Sequence, residues 1–380
     1  MTASIMYGMG KNITKVAPLT SARFIAALYV VVFHTVYASG YKLSPWFKSF
    51  VNLGETSVSF FFVLSGYILG IVYLRTGNPV NKKRFWLARF ARIYPLFFLT
   101  LMWDAPHCLF ERMAKYGWHK AVTETFITFI ANGLMLHGWF RIFAGINNPS
   151  WSLSAEAFFY LLFPMIGTAI WKLRRRLAVF FAIGLYLGSV TIILALSHRG
   201  FGENVWYYMP IFRLSEFIVG ILVAKFHTAA LSNDRSKLIL RNAAIPVLIG
   251  SIMCFCLISL SQGAFSKALL QTVLFVPIHA AIVVSLASDP PYLNRFLSLP
   301  ILVLLGEASY GLYLIHIPLW HVFQSCNLLG RPLCYLAFIL LAVLLSVCSF
   351  LYFESPSRMR ILKFFSERDS EGVVSSSLAQ

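Results

Sequence analysis

The sequence predicts an all-α polytopic membrane protein of about ten transmembrane helices, and three observations carry that prediction. Of 380 residues, 58% are apolar and only 12% are charged, whereas a soluble domain carries about 25% charged residues. The apolar residues fall into runs of about 20, the length that crosses a bilayer as a helix. The basic residues, behind a formal charge of +18, cluster in the connections between those runs, as the positive-inside rule expects. That placement argues against nucleic acid as a partner and for membrane lipid. The 35 Phe, 17 Tyr and 9 Trp suit lipid-facing surfaces and interfacial belts.

The spacing predicts spans near 22–39, 56–74, 92–109, 152–171, 177–196, 207–225, 243–261, 268–287, 300–321 and 333–352. Ten spans put both termini on one side. That side receives Lys11, Lys15, the basic residues from Arg75 to Arg92, Lys172 with Arg174 to Arg176, Lys225 to Arg241, Arg295, and Arg358, Arg360, Lys363 and Arg368. It is therefore expected to be cytoplasmic. Residues 121–139 are also apolar but include Thr123, Glu124, Thr125, Thr128, Asn132 and His137. A full crossing there would move the Lys172 to Arg176 cluster to the opposite side, so a re-entrant or interfacial helix is expected. The organisation is then a cytoplasmic segment 1–21, a membrane domain 22–353 and a cytoplasmic tail 354–380, polar, Ser-rich and expected to be disordered from about Ser366.

Lys11 and Lys15, the apolar residues 24–33 and Ala38-Ser39-Gly40 have the layout of a cleavable signal peptide. Many apolar runs follow, so an uncleaved first helix is expected. The six cysteines lie in or beside apolar runs with no His at zinc-ligand spacing; they read as small core hydrophobes, and no metal site is expected. No internal repeat, phosphate-binding Gly-rich loop or nucleophile elbow stands out.

Chemistry must then come from polar groups on the helices. Arg23 and His34 in the first span are eleven residues apart, about three turns, so they share a face about 16 Å apart along the axis. A histidine there is either a general base or a polar group satisfied by a neighbouring helix. Arg89 and Arg92, three apart in the stretch from Lys82 through Arg84 to Pro95, suit a phosphate grip, or serve as topology-setting charge in contact with anionic lipid. Asn147-Asn148-Pro149-Ser150-Trp151-Ser152 opens the fourth span; Ser150 or Ser152 caps it, but Glu156 lies too far inside to be a cap and needs a cation or a donor. Arg213 and Glu216 at i, i+3 form an intramembrane ion pair by spacing. Ser309, Tyr310 and Tyr313 line a polar seam or pack between helices, and Asp104 with His107 forms a weaker site at the outer end of the third span.

In this order the stretches resemble the acyltransferase-3 family of membrane acyltransferases, which contains bacterial O-antigen and peptidoglycan O-acetylases. The resemblance covers roughly residues 18–360 and rests on Arg-x10-His (Arg23, His34), Phe60 to Tyr67, Arg89 with Arg92, Trp151-Ser152-Leu153 with Glu156, Ser309 to His316, and Tyr352 to Pro356. Ser59 and Tyr67 stand where members often carry Asp and Phe. The resemblance implies transfer of an acyl group, commonly acetyl, from cytoplasmic acyl-CoA to a hydroxyl on a glycan or lipid-linked oligosaccharide across a bacterial inner membrane. It gives His34 a catalytic role and places Arg89 and Arg92, with Arg84 beside them, at the CoA entrance. Arg23 would orient the donor, and Trp151 and Glu156 would shape the acceptor side. Acyl-CoA is a co-substrate in this reading, and no bound cofactor is expected. No appended esterase-like domain is seen, so a second-stage transfer on this chain is not expected. The rival from another class is a secondary transporter or glycan flippase, for which buried Arg, His and Glu would be equally natural.

Overall fold

The computed structural model describes residues 17–36, 41–202, 206–260, 274–328 and 331–377, with side chains described as far as residue 366 in the last segment. Proline repeatedly sets the start of a helix, because at the first positions its missing N–H costs nothing and its φ is already helical. Pro45, Pro210, Pro291, Pro300 and Pro332 each open one.

The order is α1 (Ala17–Val36), α2 (Pro45–Asn52), α3 (Ser57–Leu69, extended by a π-helical turn to Leu74), α4 (Lys82–Tyr116), α5 (Trp118–Gly133), α6 (Trp151–Lys172) and α7 (Arg175–His198). There follow α8 (Pro210–Leu231), α9 (Asp234–Leu260), α10 (Phe275–Ala287), α11 (Pro291–Leu297), α12 (Pro300–Ser325), α13 (Pro332–Ser349) and α14 (Ser355–Ser377). Among the described residues, 9 helical segments are long and apolar enough to cross a membrane. The eighth expected span, 268–287, appears as α10 from Phe275 onward, and its first part lies outside the described residues. The residues of the possible cleavage site, 38–40, also lie outside them.

Two expectations change. The basic stretch from Lys82 to Arg92 is not a loop before the third span but its first turns, since the Asn81 side chain caps the Arg84 N–H at 3.0 Å and α4 then runs unbroken for 35 residues. That is about 52 Å of helix, against about 30 Å of hydrocarbon. The tail expected to be disordered from Ser366 continues as helix to Ser377.

Residues 121–139 are not one helix. Gly117, at φ 80°, ends α4, and α5 folds back along it for 16 residues, about 24 Å and short of a crossing. Arg112 of α4 donates to Thr125 at 3.3 Å and Thr128 at 3.0 Å, and Tyr94 donates to the Gly133 carbonyl at 3.1 Å. The opposite face of α5, Val122, Phe126 and Ile130, is exposed at the four-residue spacing of a lipid-facing stripe.

Helix directions confirm that α5 makes no net crossing. Phe62, Gly66 and Gly70 of α3 meet Arg213, Phe217 and Ala224 of α8 in ascending order, so the two helices are parallel. With α4, α6 and α7 each crossing once between them, parallel α3 and α8 leave no room for a further crossing by α5. Likewise α12 runs parallel to α4, because Tyr310 bonds the Ile93 carbonyl and His321 bonds Asp104, eleven residues further on in both.

Candidate active site

A cavity of about 200 Å³ lies between α1, α3, α4, α6 and α12. Its polar lining comprises Arg23, Arg89, Arg92, Glu156 and Glu307, with Thr20, Ser65, Ser152, Tyr160, Ser309, Tyr310 and Tyr313. Close helix approach builds it. A Cβ on Gly306 would fall 2.0 Å from the Thr20 carbonyl oxygen, so only glycine lets α12 come down on α1 there and set Glu307 beside the Arg23 turn. The Tyr310 hydroxyl donates to the Ile93 carbonyl at 2.7 Å, tying α12 to the arginine-bearing turn of α4.

Among the described residues, Arg23 and Arg92 make no hydrogen bond or ion pair with protein, and Arg89 donates only to the Tyr73 hydroxyl at 3.4 Å. Three guanidiniums therefore face two carboxylates in one cavity without closing an ion pair. Both arginines feel Glu307 and Glu156 at longer range, but guanidiniums with unfilled hydrogen bonds in a low-dielectric interior are costly, so the arrangement suits a polar, anionic occupant or water. Arg89 also rests on aromatic faces: its guanidinium carbon is 5.8 Å from the ring centroids of Tyr73, Phe85 and Tyr160.

The floor of the seam is fixed by carbonyls that prolines release. A proline cannot donate to the carbonyl four residues earlier. Pro164 thus frees the Tyr160 carbonyl, which accepts from the Trp86 indole at 3.0 Å. Pro318 frees that of Leu314, which accepts from the Asn147 amide at 3.0 Å. Tyr313 reaches across to the start of α6, its hydroxyl lying 2.6 Å from the Pro149 carbonyl and 2.8 Å from Ser152 Oγ.

His34 does not line the cavity. It stands in the same continuous helix as Arg23, about 16 Å along the axis, and its Nδ1 lies 3.2 Å from Nε2 of His316 on α12. The Tyr313 ring, 6.1 Å from that of His316, links the cavity to the histidine pair. Beyond it, toward the C-terminal ends of α4 and α12, buried Asp104 accepts the His321 Nδ1–H at 2.6 Å and the Asn147 N–H at 2.6 Å. His107 stacks on His321 with centroids 3.8 Å apart. By helix rise the tiers from the basic end are arginines at about 9–15 Å, Tyr313 at about 20 Å, the His34–His316 pair at about 25 Å and the Asp104–His321 pair at about 32 Å.

Of the residues singled out from sequence, Arg23, Arg89, Arg92, Ser152, Glu156, Ser309, Tyr310 and Tyr313 converge on the cavity. Arg84 does not; it is exposed on the first turn of α4. Trp151 does not either, being 4% exposed and packed against Phe62, Tyr207 and Tyr208, so its ring is not placed for stacking on a ligand in this cavity. Arg213 and Glu216 form the expected ion pair at 2.9 Å, buried and outside the cavity lining, with the Arg213 guanidinium over the Phe62 ring. Sequence reasoning missed Tyr160 and His321, and gave no role to Glu307 or His316. The available signal was an acid at position 307 and histidines at 316 and 321 within one apolar run.

The family model described as an acyltransferase domain matches residues 18–351. The chain belongs to that family. The acyltransferase domain thus takes in every tier described above. YrhL of Bacillus subtilis (strain 168) is 27% identical over 386 residues, covering 96% of this chain and 58% of the relative. Acyltransferase MdmB of Streptomyces mycarofaciens is 26% identical over 332 residues, 81% of this chain and 80% of its own length. Peptidoglycan O-acetyltransferase OatA of Listeria monocytogenes is 25% identical over 362 residues, 90% of this chain and 56% of its own. The chain therefore spans little more than half the length of YrhL and OatA. No solved structure matches it.

Proposed function

We propose that this chain is an O-acyltransferase of a bacterial inner membrane. It moves an acyl group, acetyl in the simplest case, from cytoplasmic acyl-CoA to a hydroxyl of a glycan or lipid-linked oligosaccharide at the outer face. The observation that carries the donor assignment is the cavity in which Arg23 and Arg92 have no hydrogen-bonded partner among the described residues. Guanidiniums with open donors are the groups that grip phosphate oxygens, and acyl-CoA brings phosphates at one end and a thioester on a flexible arm at the other. The basic side, with Arg358 of α14 near Arg89 and Arg92, is taken as cytoplasmic because Lys and Arg collect there. The glycan acceptor is supported by the name of the OatA relative.

In this reading the phosphates lie in the arginine tier and the acyl arm passes Tyr313 toward His34. His34 takes the proton of the acceptor hydroxyl while its oxygen attacks the thioester carbon. As the C–O bond forms the C–S bond breaks, and the proton passes from His34 to the departing thiolate, so no other reactant is needed. General-base assistance of this kind contributes about 10² to 10⁴ in rate.

Purified protein in vesicles, given labelled acetyl-CoA on the basic side and glycan on the other, tests this. Release of CoA with label on the glycan is expected. Movement of an intact solute with no consumption of acetyl-CoA would replace the enzyme with the transporter or flippase.

A further inference from the structure

We propose that His316 is the positioning residue that fixes the tautomer of His34; the proposal rests on the reading of His34 as the base. His316 is 0% exposed, and Leu312, Leu314 and Ile315 beside it on its own helix are buried too. The His316 ring faces that of Tyr313 at 6.1 Å and makes a side-chain hydrogen bond to one other group. That group is His34: Nε2 of His316 and Nδ1 of His34 are 3.2 Å apart, and the two ring planes differ by only 21°. The rings are near-parallel, with centroids 5.2 Å apart, and the nitrogen–nitrogen distance is that of a hydrogen bond.

Two neutral imidazoles share one proton at this contact, and the two ways of placing it differ in chemistry. If His34 Nδ1 accepts, the His34 proton sits on Nε2 and no lone pair remains to receive one from a hydroxyl. If His34 Nδ1 donates, Nε2 keeps its lone pair and is a base. The second arrangement needs His316 Nε2 to accept and His316 Nδ1 to carry the proton. Once His34 has taken a proton, its Nδ1–H still points at the same acceptor, so the imidazolium is held by a charge-assisted bond. A carboxylate would orient His34 equally well but would add a second charge in the membrane interior, where an unpaired anion is costly. A neutral imidazole orients without that charge.

The test compares His316→Leu, His316→Gln and His316→Asn with wild type in the vesicle assay, each matched for membrane insertion and melting temperature. Gln places its Oε1 near the position of Nε2; Asn is one carbon too short; Leu offers no acceptor. His316→Leu and His316→Asn are expected to lower kcat by about 10- to 100-fold while the KM for acetyl-CoA stays at its wild-type value. His316→Gln is expected to recover most of the loss. Wild-type kcat in His316→Leu, equal impairment of the Gln and Asn variants, or an effect confined to KM would overturn the proposal. Should His316→Leu fail to fold, the Gln and Asn pair, both polar, still decides. His34→Ala in the same assay separates the two claims. If it is active, the base reading falls; if it is inactive while His316→Leu is fully active, only the role of His316 falls.

Discussion

At the scale of single residues, Arg23 and Arg92 line the cavity and make no hydrogen bond among the described residues, and in the proposed reading they bind the donor. Arg92→Gln is expected to raise the KM for acyl-CoA by about 10-fold or more with little change in kcat, the signature of lost ground-state binding. Steady-state kinetics with varied donor concentration checks it; a fall in kcat at unchanged KM would assign Arg92 to the reacting centre instead. The eleven-residue spacing of Arg23 and His34 made their shared helix legible from sequence, because it follows from helix geometry alone. Their surroundings were not legible. His316 lies 282 residues from His34, and His321 lies 217 from Asp104; no local periodicity records such a pairing. Arg84, Arg89 and Arg92 look alike in sequence, and only the phase of α4 against α6 and α12 turns the last two inward.

At the scale of elements, the joints between helices depend on backbone carbonyls left without helical donors. The end of α6 and its link to α7 are held by Lys225 of α8, whose Nζ donates to the carbonyls of Ile170 at 3.0 Å, Trp171 at 2.7 Å and Leu173 at 2.5 Å. A cation among the final carbonyls of a helix also complements its dipole. Lys225→Met keeps the apolar stem but strands those acceptors, and is expected to destabilise the fold by about 1–3 kcal/mol. A lowered melting temperature in detergent would show it, and an unchanged one would contradict the joint. Gly306→Ala should act by another route, since its Cβ meets the Thr20 carbonyl at 2.0 Å. Moving α12 off α1 is expected to cost about 1–3 kcal/mol and to weaken donor binding, read by melting and by KM together. The prolines were visible in sequence as helix starts and breaks. What each released carbonyl would accept was not, since Asn147 and Trp86 arrive from distant parts of the chain.

At the scale of the whole molecule, the parallel pairing of α3 with α8 and of α4 with α12 fixes the parity of the chain. The excursion through α5 enters and leaves on the same side, as the mismatch of basic clusters in the sequence had already required. The short connections at Asn78 and Ser232 then lie on the basic side, and those at Gly117 and Gly200 on the other. Single cysteines at these four positions, in a background without the native ones, should react with an impermeant thiol reagent from outside intact cells only at Gly117 and Gly200. Labelling of Ser232→Cys from outside would break the parity. Composition and charge placement sufficed for this level of the fold, because the bilayer admits few alternatives. They were silent on the tiers within it, where arginines, a tyrosine and two histidine pairs stand in sequence from the basic end to the far end.

That line from donor to acceptor is the central claim, and His34 is where it is tested most directly. Mass spectrometry of surface glycans from cells lacking this chain, and from the same cells given the wild-type or the His34→Ala protein at equal membrane levels, should find one added acyl mass with wild type and none with the variant. Full acylation by His34→Ala would contradict the account.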